Sequence, residues 1–187
     1  SGYICFARLC KNETSEEFLE VILDDFEYVR PQFLMDELDA LCIHGFGRNP
    51  EIQTSFLRKL VERSIQEIGV EVWEKLLQAL NQLIEESVME SEVVMETCRP
   101  LATKIADGSL DFFHENENIS KLDYIPKICY LFGTFLKLSS PFYDIICEYL
   151  FTLLKDDNEI VRSNVIGALI DIFFSDLDQN SKAEVIT

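Results

Sequence analysis

Apolar side chains recur every three or four residues along most of this chain, and that spacing places them on one face of successive helices. After Thr14, for example, Phe18, Ile22, Phe26 and Val29 follow at steps of four, four and three residues. Only 7 glycines and 5 prolines interrupt the 187 residues, too few for the many tight turns of an all-β protein. No stretch alternates apolar and polar residues between hairpin turns as a strand would. The sequence therefore predicts an all-α fold.

Glycine and proline mark where these helices begin and end. Pro50 opens a long helical pattern, Gly69 interrupts it, and Asp107-Gly108 ends a later one, in which Pro100 predicts a kink or a break. A loop is expected around residues 111–120. Further helical patterns cover residues 120–138, 140–155, 158–174 and 180–187. Roughly nine to eleven helices with short links result, and short links place consecutive helices antiparallel.

One stretch, residues 140–173, carries a recognisable pattern: SPFYDIICEYLFTLLKDDNEIVRSNVIGALIDIF. A first helix leads to an acidic turn at Asp156-Asp157, and Val161-Arg162 open a second helix. This stretch resembles a HEAT repeat. The resemblance implies antiparallel helix pairs stacked as a right-handed solenoid, as in HEAT and armadillo proteins. It also implies that Asp157 and Arg162 belong to a ladder between successive units and that Val161 is a core residue.

An irregular helical bundle is the alternative architecture, because outside residues 140–173 the helical patterns match the repeat only as alternating helical pairs. Val161, Val165 and Ala168 share one apolar face of the second helix, whereas Ile166, Ile170 and Phe173 share another. A helix that is apolar on both flanks is expected to be covered on both, as an interior member of a stack is. We interpret residues 1–187 as a single helical-repeat domain and as part of a longer protein.

The charge is strongly negative, with 34 acidic against 16 basic residues, a net charge of −18 and an isoelectric point near 4.4. Nucleic-acid phosphates and anionic membranes are bound through basic patches, so direct contact with either is not expected. No apolar run reaches the roughly 18 residues that a membrane-spanning helix needs. A protein partner with a basic segment is the natural electrostatic match.

Half of this charge lies in one segment, residues 13–39, where ten acids and one base give a net −9. Five of the acids recur at helical spacing on the face opposite the apolar stripe: Glu13, Glu16, Glu20, Asp24 and Glu27. Like charges at these spacings repel one another. The pattern indicates either a partner-binding face or an ordinary solvated one. A second acidic stretch, residues 85–96, supports the same hypothesis more weakly.

Chemistry at a site finds little support in the sequence. The two histidines, His44 and His114, are not spaced with other ligands as a metal site requires, and no cofactor motif occurs. The six cysteines form no C-x-x-C pair and sit mostly in apolar runs, as free thiols do in a reducing compartment. Trp73 and the phenylalanine-rich stretches are interpreted as core, with a peptide or lipid groove as the alternative.

The prediction is a non-catalytic protein–protein interaction scaffold inside the cell, in the cytoplasm, the nucleus or both. It would present acidic helical surfaces to a basic or extended partner segment. The alternatives are cargo binding similar to that of nuclear transport receptors, an all-α enzyme, and a lipid-binding helical domain.

Overall fold

The computed structural model describes residues 50–85, 89–116, 119–138 and 143–174. The helices in these ranges are α1 (Pro50–Gln66), α2 (Val70–Glu85), α3 (Ser91–Ala106), α4 (Asp111–Glu115), α5 (Lys121–Leu138), α6 (Tyr143–Leu153) and α7 (Glu159–Phe174). Every regular element within the described ranges is helical, which confirms the all-α prediction there. None of these helices is long and apolar enough to cross a membrane.

The first two helices fold back on each other across a three-residue link. Pro50 occupies the first position of α1, where a missing N–H leaves no hydrogen bond unmade. The link is closed by the Gly69 amide, which donates to Glu67 Oε1 at 2.8 Å. Trp73 Nε1 then donates to the carbonyl oxygen of Ser64 at 3.0 Å, and both residues are buried. The single buried N–H of the indole is thereby satisfied, and α2 is fixed against α1.

Helix α3 ends in a Schellman motif. Gly108 has φ of 72°, in the left-handed region that glycine adopts without strain. Its amide donates to Ile105 O at 3.3 Å, and the amide of Ser109 donates to Lys104 O at 3.0 Å. Asp107-Gly108 thus ends the helix where the sequence predicts.

Two local expectations need correction. The break offered as one outcome at Pro100 does not occur, because helix α3 continues to Ala106, and the other outcome, a kink, stays a prediction. Pro100 and Glu96, whose carbonyl the proline cannot bond, are both exposed, so water can satisfy that carbonyl. Residues 111–120 are not all loop, since Asp111–Glu115 form the short helix α4. Phe112, in that helix, is fully buried, and the burial of its ring accounts for the ordered turn.

The longer helices pack as two rows. In the first row α1 packs on α3 and α3 packs on α6; in the second row α2 packs on α5 and α5 packs on α7. The rows join where α1 meets α2, α3 meets α5, α5 meets α6 and α6 meets α7. One hydrophobic core lies between the rows and extends from Phe56 to Ala168. Each fully buried leucine or phenylalanine in it stabilises the fold by about 1.5–3 kcal/mol.

Aromatic rings fill the centre of this core. The rings of Trp73 and Phe112 stack with centroids 4.2 Å apart and planes 11° apart, which joins α2 to α4. Tyr124 of α5 meets Phe112 edge-on at 6.0 Å. Phe132 and Phe135 are also fully buried. The interpretation of these aromatic residues as core is confirmed for the four that are fully buried, including Trp73.

Helix α7 buries only one of its two apolar faces. Val161 and Val165 are fully buried and Ala168 nearly so. Ile166 and Ile170, on the second face, are 48% and 47% exposed. The expected cover on both flanks is therefore present on one flank only within the described residues.

Candidate functional site

The three residues assigned to a ladder lie at the turn between α6 and α7. Val161 is buried in the core. Arg162 Nη1 donates to two main-chain carbonyl oxygens of its own turn, Asp156 O at 2.7 Å and Asp157 O at 2.9 Å. The Asp157 side chain is exposed. The arginine therefore closes the turn from which its helix starts, and an aspartate–arginine ladder between units stays a prediction.

The carboxylate that joins this turn to another helix belongs to Asp156. Its Oδ1 accepts from the Asn158 amide at 3.0 Å, and its Oδ2 accepts from Lys121 Nζ, at the start of α5, at 2.8 Å. The hydrogen bond from Lys121, aided by the Asn158 N–H, holds the pKa of Asp156 below its ordinary value. The same bond raises the pKa of Lys121. The D-x-N spacing of an Asx turn is the sequence signal that singles out Asp156.

A second side chain links turns at the same edge of the molecule. Asn116, just after α4, donates through Nδ2 to Ile68 O in the α1–α2 turn at 2.8 Å and to Phe112 O at 2.9 Å. The α1–α2 turn, the α4–α5 region and the α6–α7 turn are thus connected in series by Asn116 and Lys121. These polar contacts fix the register of neighbouring helix pairs.

A groove with a cavity volume of about 240 Å³ lies between α5 and α7, on the outer surface of the second row. Residues of both helices line it: Pro126, Cys129, Tyr130, Gly133, Ser163, Asn164, Gly167 and Ala168. Two glycines, Gly133 and Gly167, give the groove its depth, because they have no side chain to fill it. A β-carbon added at either position would meet no atom within 4 Å. The groove is therefore real open space that a side chain of another molecule can enter.

The side chains that line this groove are of uncharged types. The Cys129 thiol is buried, and burial raises its pKa to about 12, so it is not a thiolate near neutral pH. The half-exposed Tyr130 donates its hydroxyl to Glu85 Oε1 at 3.1 Å, across to α2. Asn164 Nδ2 donates to Ile160 O at 2.9 Å. An aromatic ring, a glycine-lined floor and neutral polar atoms of this kind can hold an apolar or polar side chain.

Three acidic side chains of α2 and α5 are exposed, and one of them, Glu85, contacts the groove through Tyr130. Glu71 and Glu85 of α2 and Asp123 of α5 are exposed. The lysines of this surface are already engaged, Lys127 with Glu74 of α2 and Lys121 with Asp156. Glu85 therefore places one negative charge beside the groove.

Other candidate residues are dispersed. The acidic face of Glu13, Glu16, Glu20, Asp24 and Glu27 lies outside the described residues, as do His44 and three of the cysteines. In the second acidic stretch, Glu90, Glu92 and Glu96 are exposed around the start of α3. His114 is exposed on α4. Across the described ranges no three His, Cys, Asp or Glu side chains gather as a metal site would require.

The described thiols are buried and unpaired. Cys98, Cys129 and Cys147 are free, and desolvation raises the pKa of each, that of Cys98 to about 12. For Cys147 the nearby Asp144 carboxylate adds to this effect. Buried neutral thiols of this kind act as small apolar side chains.

Comparison with known proteins finds no matching family model, no matching curated protein and no matching solved structure.

Proposed function

We propose that this chain is a non-catalytic scaffold built as a HEAT-like helical solenoid, and that it binds an extended segment of a protein partner. The observation that carries the proposal is the packing of α1, α3 and α6 in one row and of α2, α5 and α7 in the other. In a solenoid each helix pair packs only on its neighbours, so corresponding helices form such rows. The irregular bundle does not require this correspondence.

The links between turns support the same architecture. Asn116 and Lys121 each reach from one helix pair to the turn of an adjacent pair. Contacts of this kind repeat wherever units stack side by side with their turns at one edge. Here an amide and a lysine make the connections that aspartate and arginine make in the family that residues 140–173 resemble.

The outer surface of the second row is the proposed binding site. Its groove accepts one side chain from the partner, and the exposed carboxylate of Glu85, which contacts Tyr130 of the groove, favours a basic residue beside that anchor. The acidic face predicted at Glu13, Glu16, Glu20, Asp24 and Glu27 would extend the attraction to the same basic partner. The free, buried thiols are consistent with a reducing compartment inside the cell.

The groove is tested by filling it. In Gly167→Leu the new side chain enters space where a β-carbon meets no atom, so the fold is preserved while the groove is blocked. Thr103→Leu adds an apolar side chain at an exposed position of α3 in the first row and serves as the matched control. Both proteins and the original are used to capture partners from cell extract, and each captured protein is then purified and titrated. A partner that binds in the groove should bind Thr103→Leu with the same affinity as the unchanged protein. It should bind Gly167→Leu at least tenfold more weakly.

Electrostatic recognition is tested separately by salt and by charge reversal. Raising the salt concentration from 50 to 300 mM should weaken binding of the purified partner, because screening reduces attraction between exposed charges. Changing Glu16, Glu20, Asp24 and Glu27 to lysine should weaken it further while the melting temperature stays the same. If neither salt nor charge reversal changes the partner's affinity, the acidic residues do not contribute to binding. If Gly167→Leu does not change the affinity, the groove is not the binding site.

A further inference from the structure

Two polar side chains that line the groove between α5 and α7 present acceptors to a ligand. On the α5 wall, the Tyr130 hydroxyl donates its one hydrogen to Glu85 Oε1, so its oxygen can only accept from a further molecule. On the α7 wall, Asn164 Nδ2 is tied to the carbonyl oxygen of Ile160, and Oδ1 of the same amide stays an acceptor. A ligand that donates hydrogen bonds therefore matches both walls.

The charges around the groove favour a donor that is also a cation. None of the described residues that line it is charged. Glu85, on α2, is exposed and holds its carboxylate 3.1 Å from the Tyr130 hydroxyl. The bases next to the lining residues in sequence are engaged elsewhere, Lys127 with Glu74 and Arg162 with carbonyl oxygens of the α6–α7 turn. Glu85 therefore attracts a cation from outside, and these two bases do not compete for it.

We propose that the side chain of the partner that enters this groove is an arginine. The inference rests on the proposed function and makes one residue of the partner both the anchor and the basic residue that Glu85 favours. A guanidinium has five N–H donors in one plane, so it can bond acceptors on the α5 wall and on the α7 wall together. Its flat face can also lie on the ring of Tyr130, which is 53% exposed.

Other side chains match fewer of these features. An apolar side chain would fill the cavity of about 240 Å³ but would cover the acceptors of Tyr130 and Asn164 without bonding them. The ammonium group of lysine is a strongly hydrated point charge, so it loses more hydration than a guanidinium does when it enters a groove of neutral groups. An acidic side chain is repelled by Glu85. Affinity should therefore decrease from arginine to lysine and then to uncharged side chains.

Titration of the whole chain, followed by nuclear magnetic resonance, tests this order. The probes are the N-acetyl methylamides of arginine, lysine, citrulline and norleucine, all added at one pH and at low salt. Citrulline has the shape of arginine without its charge, and norleucine is an apolar chain. The arginine probe should shift the amides of Gly133, Asn164 and Gly167 and saturate with a dissociation constant on the order of 1 mM, because so small a molecule makes few contacts. The lysine probe should bind about threefold more weakly, and the two uncharged probes about tenfold more weakly.

Three variants locate the binding. Glu85→Gln removes the charge but keeps an oxygen that can accept from Tyr130, so it should weaken the arginine probe about three- to tenfold and leave the norleucine probe unchanged. Glu71→Gln is the matched control, because it removes an exposed carboxylate from the same helix about 21 Å away along the axis. It should not change the affinity for arginine. Gly167→Leu should abolish the shifts with every probe.

Equal affinity for the arginine probe and for the citrulline or norleucine probe would overturn the arginine anchor and leave the groove as the binding site. Arginine shifts that survive Gly167→Leu, or that weaken equally in Glu85→Gln and Glu71→Gln, would also overturn it, since they would report a general attraction of cations to an acidic surface. So would the absence of a saturable shift with the arginine probe. Capture of the partner with Gly167→Leu decides separately whether the groove is the binding site, so failure of the anchor and failure of the proposed function are distinguishable.

Discussion

Lys121 and Asp156, 35 residues apart in the sequence, meet in a 2.8 Å hydrogen-bonded ion pair that joins the first residue of α5 to the α6–α7 turn. The lysine side chain is 57% exposed and the aspartate side chain 14% exposed. The partly shielded carboxylate also accepts the Asn158 amide, so one residue shapes the turn and connects it to a neighbouring helix pair. This pair provides a local measure of how firmly α5 and the α6–α7 turn are held together.

We predict that Asp156→Asn lowers the melting temperature at neutral pH and that the difference from the original protein disappears in acid. The pKa of Asp156 is lowered in the folded state, so its stabilising contribution is present above the ordinary value of about 4 and is lost as the pH falls through the lowered value. Thermal melts of both proteins between pH 7 and pH 2.5 measure the difference. Asp157→Asn is the control and should melt like the original throughout.

The lysine gives the complementary expectation in alkali. The pKa of Lys121 is raised, chiefly by its hydrogen bond to Asp156, so its contribution is complete below the ordinary value of about 10.4 and is lost as the pH rises through the raised value. The difference between Lys121→Met and the original should therefore persist from pH 6 to pH 10. A difference that fades near neutral pH would show that the pair does not form.

Arg162→Ala should destabilise the protein by about 1–2 kcal/mol, because it removes two charge-assisted hydrogen bonds to carbonyl oxygens of the turn. Arg63→Ala is the control, since Arg63 makes a surface ion pair with Glu67 at 3.3 Å and should contribute less than about 0.5 kcal/mol. Urea denaturation measures both. A double-mutant cycle of Arg162→Ala with Asp157→Ala tests whether Arg162 binds main-chain or side-chain acceptors. No coupling free energy between the two changes is expected, because the acceptors are main-chain carbonyls. Strong coupling would instead favour a side-chain ladder.

Much of the fold follows from local signals in the sequence. Pro50, Gly69 and Gly108 mark helix ends that the structure places at the same residues or within one or two of them. Residues 158–174 are predicted to be helical, and α7 spans Glu159–Phe174. These boundaries are set by backbone geometry within a few residues, which a sequence shows directly. Pro100 is the exception, because whether a helix continues past a proline depends on access of water to the unbonded carbonyl.

The candidate site is less accessible to sequence reasoning. The acceptors of Arg162 are main-chain carbonyls, which carry no residue identity, and the partner of Asp156 lies 35 residues away. The groove between α5 and α7 exists because Gly133 and Gly167 are neighbours in space. Nothing in the spacing of two glycines on different helices predicts that they face each other. The partner of Asp156 and the groove are both set by packing between helix pairs, which is decided by shape and not by local sequence pattern.

Replacing Gly108 and Gly167 with alanine should change the stability of the protein in opposite directions. Gly108→Ala should destabilise the protein by about 1 kcal/mol, because alanine is strained at φ of 72°. Gly167→Ala should stabilise it by about 0.5–1 kcal/mol, because the position is within α7 and a β-carbon meets no atom there. Chemical denaturation of both variants measures the two signs. A loss of stability in Gly167→Ala would show that the groove is not open.

Trp73 reports on the centre of the core because it is the only tryptophan in the chain. Phe112 stacks on its ring at 4.2 Å, so Phe112→Ala should cost about 3–5 kcal/mol through lost burial and the cavity left behind. Phe112→Leu keeps most of the volume and should cost less, while removing the aromatic stack. In both variants the emission of Trp73 should shift to longer wavelength as its surroundings loosen.

Phe151→Leu is the control, because Phe151 is 44% exposed on α6 and far from the indole in the chain. The packing of α4 on α2 holds the link between α3 and α5 in place. Two results would contradict this packing: an unchanged Trp73 emission in Phe112→Ala, or equal destabilisation by the changes at Phe112 and Phe151.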